Sequence, residues 1–377
     1  MKNILFITHN TSRTGAPLVL LYFLQWLKVN KPEIRISLLN LQDGPLNENF
    51  KNNSDEYFEL SNYKMQGKSL LEIVIHRIFK KTGFVQKSAN KQDILFKELS
   101  LKNFDLIYAN TVVSLPIACK IKEFNKDMNL ILHQHELELA VKSLVPDFEK
   151  LVLNVDHFIS ASNKVKVFLE DNYNIDCSKI KTVYEFVPQK KKKIFQKSSF
   201  TVGGAGTVEW RKGVDLFLQV SAFIKINYPD YKINFQWAGK MSKTDEYKLN
   251  FDIRRAGLSE SVTFTNEYSK PEEIFQDFDV FLMTSREDPF PLVCIEAGMM
   301  GIPIICFKGA TGTEEILLNG GGKIVPYLDI KEMAMQIIEY FNHPKQIVID
   351  GERAIASFSE FNPYVQAPKI FEEIKSF

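Results

Sequence analysis

Ser285-Arg286-Glu287-Asp288-Pro289-Phe290-Pro291-Leu292-Val293-Cys294-Ile295-Glu296 follows the apolar run Asp279–Thr284 and leads into Ala297-Gly298-Met299-Met300-Gly301. The run before it reads as a buried strand, and Pro291–Met300 reads as a helix with proline at its start. Strand, turn and helix in that order form the repeating unit of a parallel α/β sheet. Two carboxylates, Asp288 and Glu296, stand eight positions apart across the turn. A helix start leaves backbone N–H groups without intrahelical partners and carries partial positive charge, which suits a phosphate. The turn at Pro291 would present the N–H groups of Leu292 and Val293 to that phosphate, and the flanking acids suit the neutral hydroxyls of sugars.

The same grammar runs outward in both directions. Strands are expected at Phe200–Gly206, Lys232–Ala238, Ser261–Thr265 and Ile302–Phe307, and helices at Gly213–Asn227, Lys243–Ala256, Pro271–Gln276, Glu314–Leu318 and Ile330–Phe341. In the first half, Asn3–Thr8, Arg35–Leu41, Phe104–Tyr108, Leu130–His133 and His157–Ser160 read as strands, with helices such as Ala16–Asn30 and Val113–Phe124 between them. The pattern lapses at Val187-Pro188-Gln189-Lys190-Lys191-Lys192-Lys193 and then restarts. The expected organisation is a first α/β domain over 1–187, a second over 188–360, and a helical tail over 361–377 that crosses back to brace the first. Two doubly wound, Rossmann-like halves of this kind enclose a cleft at the carboxyl ends of their strands.

Bulk composition limits the function classes. A chain of 377 residues with 45% hydrophobic residues and 30 Phe can fill two cores. A net charge of +1 gives no general electrostatic case for nucleic acid. Cys119, Cys177, Cys294 and Cys306 follow no disulfide or metal-ligand spacing, which favours a reducing interior. The apolar start Met1–Thr8 is too short for a signal peptide and no stretch reaches the length of a membrane span, so a cytoplasmic protein is expected. Between Lys64 and Lys102, nine Lys/Arg and three Asp/Glu mix with apolar residues at helical spacing. That segment reads either as a surface docking on the anionic inner face of a membrane or as a core-packed helix with a solvated basic face.

These motifs carry a resemblance. The chain resembles the GT-B retaining glycosyltransferases of family 4, in the subset whose signature reads S-R-E-D-P-F-P-L-V, specifically over roughly residues 200–330. The family pattern has two Glu separated by seven residues; Glu296 fills the second place and Asp288, one methylene shorter, the first. The resemblance puts Glu296 on the ribose and Asp288 on the donor sugar. In Gly204-Ala205-Gly206-Thr207-Val208-Glu209-Trp210-Arg211-Lys212-Gly213, Lys212 matches the family lysine at the leaving diphosphate. Thr207 stands where the family has arginine, Arg211 is the candidate substitute, and Gly206 lets backbone approach the ligand. Gly312 and Glu315 match the loop that holds the donor sugar, and Gly15 lies in the first-domain loop that touches donor phosphate.

His135, in Leu132-His133-Gln134-His135-Glu136, matches the family's histidine beside the donor sugar; a satisfied structural histidine is the alternative. The implied reaction is retaining transfer of a sugar from a UDP- or GDP-linked donor to a hydroxyl of a glycan or lipid-linked glycan, in bacterial surface polysaccharide synthesis. No metal is expected, since cations and N–H dipoles can stabilise the leaving diphosphate. The alternatives are a GT-B epimerase or phosphorolytic enzyme, or a non-catalytic nucleotide-sugar-binding or scaffolding subunit.

Overall fold

The computed structural model describes residues 2–63, 91–192, 199–266 and 270–377. Most of the basic stretch expected at 64–102 lies outside the described residues; only the helix Lys91–Ser100 and its exit belong to them. Among the described residues, no helix is long and apolar enough to cross a membrane.

The chain folds into two wholly parallel sheets. Strands β1 (Asn3–Thr8), β2 (Arg35–Asn40), β3 (Glu56–Glu59), β4 (Leu106–Asn110), β5 (Asn129–Gln134), β6 (His157–Ser160) and β7 (Ile180–Thr182) lie in the order β3-β2-β1-β4-β5-β6-β7. Strands β8 (Phe200–Ala205), β9 (Ile233–Ala238), β10 (Val262–Thr265), β11 (Val280–Met283), β12 (Ile304–Phe307) and β13 (Gly322–Val325) lie in the order β10-β9-β8-β11-β12-β13. In each sheet the order reverses beside the first strand, between β1 and β4 and between β8 and β11. Such a switch point leaves a crevice at the carboxyl ends of the strands, where ligands of doubly wound sheets bind. The architecture is GT-B, as expected.

Near-continuous apolar strands account for the burial. Ile4 to Ile7 of β1 and Phe281 to Met283 of β11 are covered on both faces, the pattern of a parallel sheet between helix layers. Three strands were not legible beforehand, nor was the helix Pro344–Phe358 in the second half. β3 (EYFE) and β7 (IKT) are short edges carrying charges, and β13 begins after a glycine run. Glycine is required at 322, because a Cβ there would sit 1.9 Å from the Ile304 carbonyl oxygen. The helix Pro344–Phe358 packs on Leu292–Met299, and Gly298 makes room for the Phe358 ring.

The last helix, Pro363–Lys375, lies on the first-sheet helix Gly15–Asn30. Phe371 meets Trp26 at 6.0 Å between ring centroids, and the Lys2 ammonium donates to the carbonyls of Ile374 and Lys375 at 3.1 and 2.9 Å. One apolar cluster runs unbroken from Phe6 and Phe23 through Phe186 to Phe290, Leu292 and Phe361. The two halves are thus joined by core packing as well as by the chain.

A candidate donor site in the crevice

The turn after β11 is fastened before it reaches the crevice. Arg286 forms a forked ion pair with Asp215 at 2.9 and 2.7 Å, donates to the Trp210 carbonyl at 2.6 Å, and stacks on the Trp210 ring. The Arg286 amide also donates to the Arg211 carbonyl at 2.8 Å. These contacts fix the short turn Trp210–Lys212, which Gly213 ends at φ +68°, a left-handed conformation suited to glycine. A Cβ at 213 would stand 2.0 Å from the Thr284 carbonyl oxygen, so the two motifs meet backbone to backbone.

That junction brings Lys212 and Arg211 onto Asp288. The Lys212 ammonium lies 2.5 Å and the Arg211 guanidinium 3.5 Å from Asp288 Oδ2. Arg211 also donates to the Glu287 carbonyl at 2.9 Å and pairs with Glu209 at 3.0 Å. Asp288 is buried, which opposes ionisation, yet the two cations hold its carboxyl below the ordinary range. The Lys212 stem passes over Gly206, which adopts φ +141°. Thr207 is exposed, so Arg211 is the nearer guanidinium to Asp288 than anything the Thr207 position supplies. Gly203 and Gly204, by contrast, make room for Phe278 and Trp237 and serve the core.

The helix Leu292–Met299 starts beside this cluster with no side chain capping it. Its first internal hydrogen bonds run from Cys294 and Ile295 to the Pro291 carbonyl, so the Leu292 and Val293 amides precede the ladder. Glu296, one turn further, is buried against the linker residue Lys190, at 3.6 Å, and Lys190 in turn reaches Glu272 at 3.0 Å. Burial raises the Glu296 carboxyl to about 7; Lys190 opposes the shift and Glu272 adds to it. The charges of Glu296 and Glu272 also raise Tyr22, after burial, which places this acid at the first-half helix Gly15–Asn30.

The first half meets the site through Gly15. A Cβ on Gly15 would lie 3.7 Å from Glu185 Oε2 and 4.0 Å from Leu292 Cγ, so the absence of a side chain keeps the crevice open there. His135 is buried, with Nδ1 3.0 Å from Glu185 Oε1 and Nε2 2.9 Å from Asn110 Oδ1. Burial lowers its imidazole to about 4, against the field of Glu136. His133 stacks on His135 at 3.9 Å and meets the Tyr108 hydroxyl at 2.6 Å. Among the described residues, no group of three or more His, Cys, Asp or Glu could hold a metal ion, the His133–His135 pair included.

Gly312 and Glu315, expected in the donor loop, lie where the second half approaches the first. A Cβ on Gly312 would be 2.2 Å from the Pro289 carbonyl oxygen and 2.8 Å from Ser162 Cβ, so this glycine serves a close approach between the halves. Glu315 accepts from the Lys164 and Asn163 amides at 2.9 and 3.3 Å and from the Tyr184 hydroxyl at 2.8 Å. It therefore caps the helix Asn163–Tyr173 of the other half. Glu287 does the same for Glu138–Leu144, accepting from the Leu139 amide at 3.2 Å. Sequence reading passed over Glu185, Asn110, Lys190 and Glu287. An acid inside the apolar run Val183-Tyr184-Glu185-Phe186-Val187 was the available signal, since burying a carboxyl without a partner is costly.

The chain is similar to known glycosyltransferases. A D-inositol 3-phosphate glycosyltransferase of Paenarthrobacter aurescens is 29% identical over 109 residues, 28% of this chain and 27% of that protein. The O-antigen biosynthesis glycosyltransferase WclY of Escherichia coli is 26% identical over 233 residues, 54% of this chain and 61% of that protein. The matches thus span between about a quarter and three fifths of these relatives. The crystal structure of Anabaena HepE in complex with UDP and glucose superposes over 100% of both chains with a TM-score of 0.79 at 17% identity, a likeness of fold. Residues 187–354, which carry Lys212, Asp288 and Glu296, match the family model of glycosyl transferases group 1.

Proposed function

We propose that the chain is a retaining, metal-independent glycosyltransferase that moves a sugar from a nucleotide diphosphate to a hydroxyl acceptor. The observation that carries this reading is the meeting of Lys212, Arg211 and the uncapped start of Leu292–Met299 around buried Asp288. In such a transfer the bond from the anomeric carbon to the diphosphate oxygen breaks while the acceptor oxygen bonds to the same face. The acceptor proton passes to the departing diphosphate. Negative charge grows on the phosphate oxygens, and preformed cations and amide dipoles in a dry crevice stabilise that growth most.

Each side chain then has a distinct task. Lys212 and Arg211, aided by the Leu292 and Val293 amides, hold the diphosphate; Gly206 and Gly15 let backbone approach it. Glu296 accepts from the ribose hydroxyls and Asp288 from the sugar. We assign the donor to 188–360 and the acceptor to 1–187, with 361–377 bracing the latter. UDP is the leading donor nucleotide, in keeping with the UDP in HepE, and GDP is the alternative. A glycan or lipid-linked glycan of bacterial surface polysaccharide is the acceptor class, as the O-antigen role of WclY suggests by likeness.

A thermal-shift panel of UDP- and GDP-sugars tests the reading, because a ligand that binds only the folded chain raises its melting temperature. One nucleotide sugar should stabilise the protein, and NMR of the product made from it should show the donor's anomeric configuration kept. An inverted product refutes retention; no stabilisation by any member refutes donor binding.

A further inference from the structure

The Glu185–His135–Asn110 set has a hydrogen-bond order that fixes where its protons sit. Asn110 donates through Nδ2 to the Ala16 carbonyl at 3.1 Å, which turns its Oδ1 toward His135 Nε2 at 2.9 Å. An amide oxygen accepts only, so Nε2 carries the ring proton. A second ring proton is disfavoured by burial, which holds this imidazole at about 4. Nδ1 is therefore a bare acceptor, and the atom facing it at 3.0 Å is Glu185 Oε1. A carboxylate would set two lone pairs against each other; a carboxylic acid completes the hydrogen bond.

We propose that Glu185 is a carboxylic acid that donates its proton to His135 Nδ1, a positioning residue that locks the ring against Asn110 and adds no charge of its own beside Asp288. The assignment rests on the donor-site reading for its purpose. Burial and then the charge of Asp288 raise the Glu185 carboxyl well above its usual range, with Lys212 opposing. A second ionised carboxyl beside Asp288 would weaken the positive field on which a diphosphate depends. Neutral Glu185 leaves Lys212 and Arg211 answered by Asp288. The groups facing the pair are Asp288 and Lys212 from the second half and His9, His133 and Glu136 from the first. Of these, burial lowers His9 and His133, and burial raises Glu136, whose carboxyl accepts from the Val112 and His135 amides at 3.2 and 3.1 Å. Burial thus works against charge on each of these first-half groups. Both ring nitrogens of His135 are engaged by protein, and Glu185 Oε2 faces Gly15.

The test is 15N NMR of the full chain labelled at histidine, for wild type, Glu185→Gln and Glu185→Ala. The wild-type His135 ring should be neutral from about pH 5 to about pH 8, protonated on Nε2 and with Nδ1 shifted as a hydrogen-bond acceptor. Glu185→Gln should keep that signature, since its amide can donate to Nδ1; Glu185→Ala should lose it. A doubly protonated wild-type ring, a proton on Nδ1, or a Glu185→Ala spectrum like wild type overturns the proposal. With the donor found in the panel, Glu185→Ala should lose about 10- to 100-fold in kcat with little change in KM, the scale of one unsatisfied buried group. Glu185→Gln should restore most of it; unchanged kcat in Glu185→Ala would also overturn the role. The imidazole spectrum needs no donor, so a panel without a binder counts against the proposed function while the Nδ1 signature still decides this assignment.

Discussion

Substituting Glu296 by Gln, and measuring donor affinity on both sides of neutrality, tests the ribose role quantitatively. Burial raises this carboxyl to about 7, so it changes charge in the middle of the working range. The ionised form offers an acceptor oxygen to each ribose hydroxyl, whereas the acid turns one oxygen into a donor. About one Glu296 in eleven is ionised at about pH 6 and about ten in eleven at about pH 8, so the competent fraction rises about tenfold. Affinity for a nucleotide sugar should tighten by the same factor, about 1.4 kcal/mol. A nucleotide sugar such as UDP-glucose is the right probe, because the free terminal phosphate of UDP itself titrates near about 6. His135 and His9, lowered to about 4, stay neutral throughout the window. In calorimetry, Glu296→Gln should bind more weakly than wild type at the upper pH and show a flat profile. Folding has its own sign: a raised carboxyl favours the folded chain below about 4.5 and withdraws that contribution as pH rises through about 7, so Glu296→Gln should not lose stability at high pH. Equal wild-type affinity at both pH values, or an unchanged slope in the variant, would refute the ribose role.

Lys212→Met should lower kcat by about 100- to 1,000-fold, the usual effect of removing one preformed charge partner from a developing anion. It should also lower stability by roughly 1–3 kcal/mol, since buried Asp288 loses the nearer of its two cations. Adding Asp288→Asn should recover the melting temperature and leave the activity low. Glu315→Gln should speed hydrogen exchange at the Asn163 and Lys164 amides and cost about 1 kcal/mol, as loss of a helix cap does; unchanged exchange would deny Glu315 a part in joining the halves. Turnover in EDTA should equal turnover without it, and its loss would contradict a site run by Lys212, Arg211 and backbone dipoles.

The legible parts of the fold were those with local causes. β1, β6 and the helix Leu292–Met299 announce themselves by apolar runs bounded by turn residues. β3, β7 and β13 were hidden because edge strands are short and half-exposed, so pairing with β2, β6 and β12 decides them rather than pattern. At the site, Asp288 and Glu296 were visible because one motif and its spacing hold them, and Lys212 because a second motif does. Glu185 and Lys190 were not, because each finds its partner far along the chain: Glu185 at His135, Lys190 at Glu296. Glu315 shows the converse, since its position in the motif was plain while its partners, Asn163 and Lys164, come from the other half. Arg286 was read only as part of a signature; its grip on Asp215 and Trp210 is what sets Lys212 in place.

A crystal structure of the full chain soaked with the nucleotide sugar found in the panel tests the central claim most directly. Its diphosphate should lie within hydrogen-bond reach of Lys212 and the Leu292 and Val293 amides, with the ribose on Glu296 in place of Lys190. A nucleotide bound elsewhere, with the Lys212–Asp288 and Lys190–Glu296 pairs undisturbed, would contradict it.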